Sequence, residues 1–225
     1  MVPQDNEKYE QFKPVEIEPL YLFVTGGGGA GKSHLIKTIY HTAVKTFRHP
    51  PINPELPTVI LLAPTGVAAI NIDGTTINTG LAIAKESGDN VPAMSDQKKT
   101  QLTLSLSDLK LIIIDEISMV GNTTLLHIHQ RLKEIFGTTS SLLFAGITII
   151  VVGDLCQLPP IRKRFVFDDF KNDSYNLCHP WKVFKMIELH EIMRQKNDQE
   201  FIQLRNRVRA ATQTEDNPIK IDIPI

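Results

Sequence analysis

Four short apolar runs punctuate the chain: YLFVT at 21–25, TVILLA at 58–63, LKLIIID at 109–115 and ITIIVVGD at 147–154. Their apolarity is continuous rather than alternating, which predicts strands covered on both faces, as in a parallel sheet. Between them lie amphipathic stretches. KSHLIKTIYHTAVKTF sets Leu35, Ile36, Ile39, Ala43 and Val44 on one helical face, and TTLLHIHQRLKEIF does the same with Leu125, Ile128, Leu132 and Ile135. Strand and helix in alternation predict an α/β fold built on a mostly parallel, doubly wound sheet. The proline-rich HPPINPELP is predicted to be a loop, the polar KESGDNVPAMSDQKKTQ (85–101) an insertion over the surface, and TEDNPIKIDIPI a frayed or truncated end. There is no internal repeat and no low-complexity tract.

Composition narrows the function classes. With 225 residues, 42% of them apolar, the chain can bury a core, and at roughly 100 to 200 residues per domain it holds one domain or two. Twenty-four Lys and Arg against twenty-five Asp and Glu leave a formal charge of -1, so any contact with nucleic acid must be local. Cys156 and Cys178 form no disulfide framework, and no Cys or His spacing matches a closed zinc site. His127 and His129 lie two apart on a predicted helix, on different faces, which disfavours a metal pair. The N-terminal MVPQDNEKYEQFKPVEIEP lacks the apolar core of a signal peptide, and no apolar run reaches the ~18 residues of a membrane span. A soluble intracellular protein with no membrane partner is expected.

The chemistry begins at GGGGAGKS, residues 26–33. Gly26, Gly31, Lys32 and Ser33 satisfy G-x-x-x-x-G-K-S/T, with an apolar strand before and an amphipathic helix after. In such a loop backbone N–H groups wrap phosphates, the lysine reaches the β- and γ-phosphates, and the hydroxyl ligates Mg²⁺. A glycine-rich turn followed by a chance Lys-Ser is the alternative, and the flanking strand and helix argue against it. Asp115 and Glu116 end the run LIIIDE, and two carboxylates at a buried strand end are costly unless a metal or solvent balances them. Asp115 is therefore expected to hold Mg²⁺, directly or through water, and Glu116 to orient and deprotonate the attacking water. A strand end simply reaching solvent is the competing reading. In GDLCQLPP (153–160), Gln157 carries an amide that can bond both a γ-phosphate oxygen and a water, with Pro159 and Pro160 stiffening its loop. Read without its neighbours, that segment is a turn. In APTGVAAINIDGTTIN (63–78), Thr65 and the N–H groups at Gly66 and Val67 could seat a phosphate of a bound strand, though helix capping by Thr65 explains the same residues. IRKR (161–164) could touch a nucleic-acid backbone or simply be solvated, and Cys156 reads as a loop filler.

Taken in order, these segments resemble the petite-integration-frequency (Pif) helicases, the RecD-like branch of superfamily one that moves 5' to 3' on single-stranded DNA. TGGGGAGKS, APTGVAA with GTTIN, IIIDEISM and GDLCQLPP are similar to that family's first, Ia, second and third motifs, and the likeness extends from Tyr21 to Arg209. IELHEIMRQKNDQEF resembles its fourth motif, which implies that Arg194, following a short strand, reaches the γ-phosphate. KSHLIKTIYHT, EISMVGNTTLLHIHQRLKEIFG and YNLCHPWKVFKMIEL are especially similar to copies associated with mobile elements in eukaryotic genomes.

The resemblance implies a RecA-like P-loop NTPase domain over residues 20–212, after an N-terminal extension (1–19) expected to be poorly ordered and before a tail (213–225) expected to mark a truncation. It implies ATP and Mg²⁺ as ligands. The nucleotide would be held by Gly26, Gly27, Gly28, Gly29, Ala30, Gly31, Lys32, Ser33 and His34, and the metal by Ser33 and Asp115. Catalysis would fall to Lys32, Glu116, Gln157 and Arg194, and DNA contacts to Pro64, Thr65, Gly66 and Asn78. The partners implied are single-stranded DNA, fork or duplex DNA, and a second RecA-like domain expected to be missing from this chain. Roles in DNA repair, recombination and telomere maintenance, and a nuclear or mitochondrial location, follow from the same likeness. Two departures stand out. The family usually has a histidine where Asn78 stands, and Gln4 and Gln11 lack the surroundings of an adenine-recognising segment. The expected activity is ATP hydrolysis coupled to DNA translocation and unwinding. The alternatives are an ATP-binding or DNA-binding remnant without helicase activity, and a clamp-loader-type ATPase, which the G-D-x-x-Q-L-P-P loop disfavours.

Overall fold

The four apolar runs become the inner strands of one sheet. The computed structural model describes residues 18–48, 53–84, 92–137, 142–170 and 179–190. In chain order the elements are β1 (Tyr21–Gly26), α1 (Lys32–Phe47), β2 (Val59–Ala63), α2 (Gly66–Asn71), β3 (Thr75–Thr76), α3 (Ile77–Gly80), α4 (Asp96–Ser105), β4 (Leu111–Ile114), α5 (Asn122–Phe136), β5 (Thr148–Gly153) and β6 (Lys185–Leu189). The strands order as β3-β2-β4-β5-β1-β6, and every pairing is parallel. The sheet carries no antiparallel strand among the described residues.

Continuous apolarity has the cause that the sequence pattern suggested. Successive side chains of a strand point to opposite faces, so a run buried on both sides has no polar position to alternate with. Leu111 and Ile113 of β4, with Ile150 and Val152 of β5, pack towards Ile36 of α1 and Ala68, Ala69 and Ile72 around α2. Ile112, Ile114, Ile149 and Val151 pack the other way, among Leu102, Leu106, Leu125, Ile128, Leu132, Ile135 and Phe144. The predicted faces of both long helices hold. Ile36 is buried, with the partly buried Leu35, Ile39, Ala43 and Val44 packed on the same cluster, and Leu125, Ile128, Leu132 and Ile135 are all buried.

The order of strands matters more for function than their number. From β1 the chain crosses to β2, leaving a gap that β4 and β5 later fill. The strand β5 therefore separates β1 from β4, with Thr25 level with Gly153 and Ile114 level with Val151. The loops after β1, β5 and β4 thus emerge side by side at one edge of the sheet, the edge where open parallel sheets bind ligands.

Two segments differ from expectation. The polar 85–101 stretch is not wholly a surface insertion: residues 85–91 lie outside the described residues, but α4 begins at Asp96 behind a Ser95 cap that accepts from Lys98 N. It docks on α5, burying Leu102, while Thr103 Oγ1 donates to the Ile135 carbonyl at 2.8 Å. The buried Arg131 of α5 pairs with Glu134 and donates to the carbonyls of Ala82 (3.2 Å) and Pro92 (3.0 Å) on either side of 85–91. The second is β6, an edge strand with exposed Met186 and Ile187 that no apolar run announced, although the family resemblance implied a short strand before Arg194. His129 Nδ1 accepts from Phe144 N at 2.9 Å, and burial pushes its pKa down to about 4, which keeps it a neutral acceptor. No described helix is long and apolar enough to cross a membrane.

Candidate active site

The loop after β1 is shaped by backbone that only glycine adopts at low cost. Gly29 and Gly31 have φ of 84° and 83°, in the left-handed region where a Cβ would crowd the chain. Gly31 is also the residue capping α1, with no side chain accepting from the first-turn N–H groups and no acid in that turn. The first-turn N–H groups, at the positive end of a 16-residue helix, face the loop. Lys32 Nζ folds back on its own loop, donating to the carbonyls of Gly26 (2.8 Å) and Gly27 (3.2 Å). Ala30 is buried beneath the loop.

Across from it stand the acids. Asp115 follows β4, is buried, and accepts from Glu116 N at 2.8 Å through Oδ1. Burial raises its pKa, with the Glu116 charge adding to the rise, while the Glu116 N–H and the nearby Lys32 ammonium oppose it. Glu116 itself sits at φ 51°, ψ 49°, a left-handed conformation that costs a non-glycine residue of order 1 kcal/mol. That turn swings its carboxylate off the strand axis. The end of β5 comes up tight behind it: a Cβ on Gly153 would lie 2.8 Å from Ile117 N, so glycine is required there for close approach.

The loop after β5 carries Gln157. The buried Asp154 organises it, accepting from Cys156 N (3.1 Å) and Gln157 Nε2 (3.3 Å) through its two carboxylate oxygens, and from Gln157 N (2.9 Å) through its carbonyl. Because β5 lies between β1 and β4, Gln157 reaches the space between phosphate loop and acids. Gly28, Gly29, Gly31, Lys32, Ser33, His34, Asp115, Glu116 and Gln157 together line one cavity of about 480 Å³.

A second, smaller cavity of about 220 Å³ lies alongside, lined by Pro64, Thr65, Ile77, Asn78, Ile83, Ala84, Met119, Val120, Thr124, Ile161 and Lys163. Thr65 caps α2 by accepting from Ala68 N (3.2 Å), so the bland reading of that residue is true whatever else it does. Gly66, next to it, is exposed, and a Cβ there would meet nothing within 4 Å. The Asn78 amide donates to the Ile83 carbonyl (2.9 Å), leaving its oxygen for any other contact. The segment IRKR is resolved residue by residue. Lys163 is exposed but lines the cavity with its stem against Gly121 and Nζ donating to Thr124 Oγ1 (2.8 Å), and partial loss of hydration lowers its pKa. Arg164 turns away to the Asp169 carbonyl.

Of the residues singled out in the sequence, the structure gathers Gly28, Gly29, Gly31, Lys32, Ser33, His34, Asp115, Glu116 and Gln157 into the first cavity and Pro64, Thr65 and Asn78 into the second, while Gly26, Gly27, Ala30 and Gly66 line neither. Arg194 lies outside the described residues; the short strand expected before it is β6. Sequence reading overlooked Asp154, Thr124 and the apolar lining of the second cavity. The spacing of Asp154, three residues before Gln157 at a strand end, is a turn signal that could have flagged it.

An all-parallel sheet with a phosphate loop after β1 and paired acids after β4 defines a RecA-like P-loop NTPase domain. The family model for PIF1-like helicase matches residues 8–217. The chain belongs to that family. It is 32% identical over 216 residues to the ATP-dependent DNA helicase PIF1 of Candida albicans, a match that covers 91% of this chain and 22% of that relative. The crystal structure of Candida albicans Pif1 helicase superposes with a TM-score of 0.68 at 28% identity, over 88% of this chain and 42% of that one. The crystal structure of Bacteroides Pif1 helicase in complex with ADP-AlF3 and ssDNA gives 0.60 at 28% identity, over 90% and 45%. The chain therefore spans less than half the length of the relatives it matches.

Proposed function

We propose that this chain is the first motor domain of a 5'-to-3' DNA helicase, binding Mg·ATP in the larger cavity and a single DNA strand across the smaller one. The observation that carries this is the convergence of Lys32, Ser33, Asp115, Glu116 and Gln157 on one cavity at the ends of three adjacent strands. No cluster of three or more His, Cys, Asp or Glu among the described residues is placed to hold a metal by itself. Mg²⁺ does not need one, since it takes one or two carboxylates and completes its shell with phosphate and water. A buried carboxylate with a raised pKa beside an exposed hydroxyl fits that role, so Asp115 and Ser33 are the residues that would hold it. Held there, the cation would supply positive charge to offset the negative charge of the phosphates.

The rest of the chemistry belongs to side chains. Lys32 exchanges the loop carbonyls for phosphate oxygens, and the α1 N–H groups add further donors. Glu116 takes a proton from the attacking water while Gln157 holds that water and a γ-phosphate oxygen, yielding ADP and phosphate. Arg194, in the segment that resembles the family's fourth motif, would add a further γ-phosphate contact. DNA contacts would come from Thr65, Gly66, Asn78 and Lys163, through phosphates and hence with little sequence preference.

Calorimetry with Mg·ATP tests the reading. Lys32→Ala should weaken binding by about 10- to 100-fold, the worth of a charge-assisted bond of roughly 1.5–3 kcal/mol. Equal affinity in variant and parent would refute the phosphate-loop role. Residues 1–225 as a monomer should not open a DNA fork, because strand grips alternate only when two motor domains close and reopen; robust unwinding would refute the motor arrangement.

A further inference from the structure

We propose that Asp154 is a positioning residue for recognition of the terminal phosphate, acting through Gln157. This rests on Gln157 contacting the γ-phosphate and its water. Gln157 is exposed on a short loop, and a free glutamine would lose side-chain rotamer entropy each time it was ordered. Asp154 removes that freedom in advance. It is only 2% exposed, anchored at the end of β5, and places one carboxylate oxygen on Cys156 N and the other on Gln157 Nε2.

The chemistry of the pair also decides which way the amide faces. An ionised carboxylate accepts hydrogen bonds and donates none, so the glutamine must turn its NH₂ towards it. The amide oxygen and the second N–H are then what the cavity receives: one acceptor for a water proton and one donor for a phosphate oxygen. Asparagine at 154 would preserve size and the bond to Cys156 N. Its own NH₂ would meet the glutamine's NH₂, and Gln157 would flip or swing away.

The test compares Mg·ADP with Mg·AMP-PNP, a non-hydrolysable triphosphate, on residues 1–225 carrying Asp154→Asn, Gln157→Ala or both. Melting curves establish that each variant folds. If Asp154→Asn does not, Asp154→Ser replaces it, keeping a short oxygen near Cys156 N but none able to reach Gln157. Diphosphate affinity should be unchanged in every variant. Triphosphate affinity should fall by about tenfold in each single variant, as for loss of one hydrogen bond to a charged group, and no further in the double variant. Additive losses in the double variant, or an equal loss of ADP affinity in Asp154→Asn, would overturn the proposal. So would an inert Asp154→Asn beside a damaged Gln157→Ala, and that result would leave the larger functional reading standing. An inert Gln157→Ala would remove both.

Discussion

The two neighbouring cavities are built in opposite ways. The larger one is assembled from three strand ends and one helix terminus, and its lining is local: Gly28, Gly29 and residues 31–34 from one loop, Asp115 and Glu116 from a second, and Gln157 from a third. The smaller one draws on six separate stretches, around Pro64, Ile77, Ile83, Met119, Thr124 and Ile161, most of them apolar. Phosphates are small and highly charged, and consecutive backbone N–H groups in a glycine-rich turn can surround one. A nucleic-acid strand is long and repetitive, so a surface that follows it has to be collected from distant segments. The cavities also share two connections. Residues 116–120 and 157–163 each begin in the first and end in the second.

The proposed division of labour can be broken one cavity at a time. Glu116→Gln carries the largest expected effect: hydrolysis should fall by about 10² to 10⁴, as for loss of a general base, with Mg·ATP affinity retained. Loss of binding instead, by calorimetry, would make Glu116 structural, a role its left-handed backbone could also serve. Lys163→Ala should act on the other side alone. Single-stranded DNA affinity should drop by several-fold at low salt and the salt slope should shrink by about one phosphate contact, with nucleotide affinity untouched. A fluorescence anisotropy titration at several salt concentrations measures both, and an unchanged slope would place Lys163 off the strand.

The smallest effect concerns stability. Burial makes the folded chain hold the Asp115 proton to higher pH than the unfolded chain does. Its contribution to stability is therefore present at acid pH and lost as pH rises through the folded value. Asp115→Asn should remove that loss, raising the melting temperature at pH 7 by about 2 °C without nucleotide, while weakening Mg-dependent nucleotide binding. The gain should vanish at pH below the ordinary carboxylate range. A lower melting temperature at pH 7 would mean that the carboxylate is structurally required.

Much of the first cavity was legible along the chain because its chemistry demands particular residue types at fixed spacing. The glycines at 29 and 31, Lys32, Ser33 and the strand-end acids are each constrained by what lies one to five residues away. The strands and the two long helices were legible for a related reason: burial on two faces or on one leaves a periodic trace. The elements that escaped have weak traces. Of α4 only Leu102 is buried, β3 is two residues long, and β6 lies at the sheet edge with exposed side chains.

By itself, then, the order of residues determined that a phosphate loop precedes a helix, that two carboxylates close a buried strand, and that a glutamine follows another. Only the tertiary structure decided that these three meet, because strand order β2-β4-β5-β1 is a matter of long-range pairing that no local pattern encodes. It also decided that Asp154 holds Gln157 and that, of the residues in IRKR, Ile161 and Lys163 line the second cavity while Arg164 turns away to a carbonyl. A side chain's type is written in sequence; its direction depends on what the neighbouring segments leave room for.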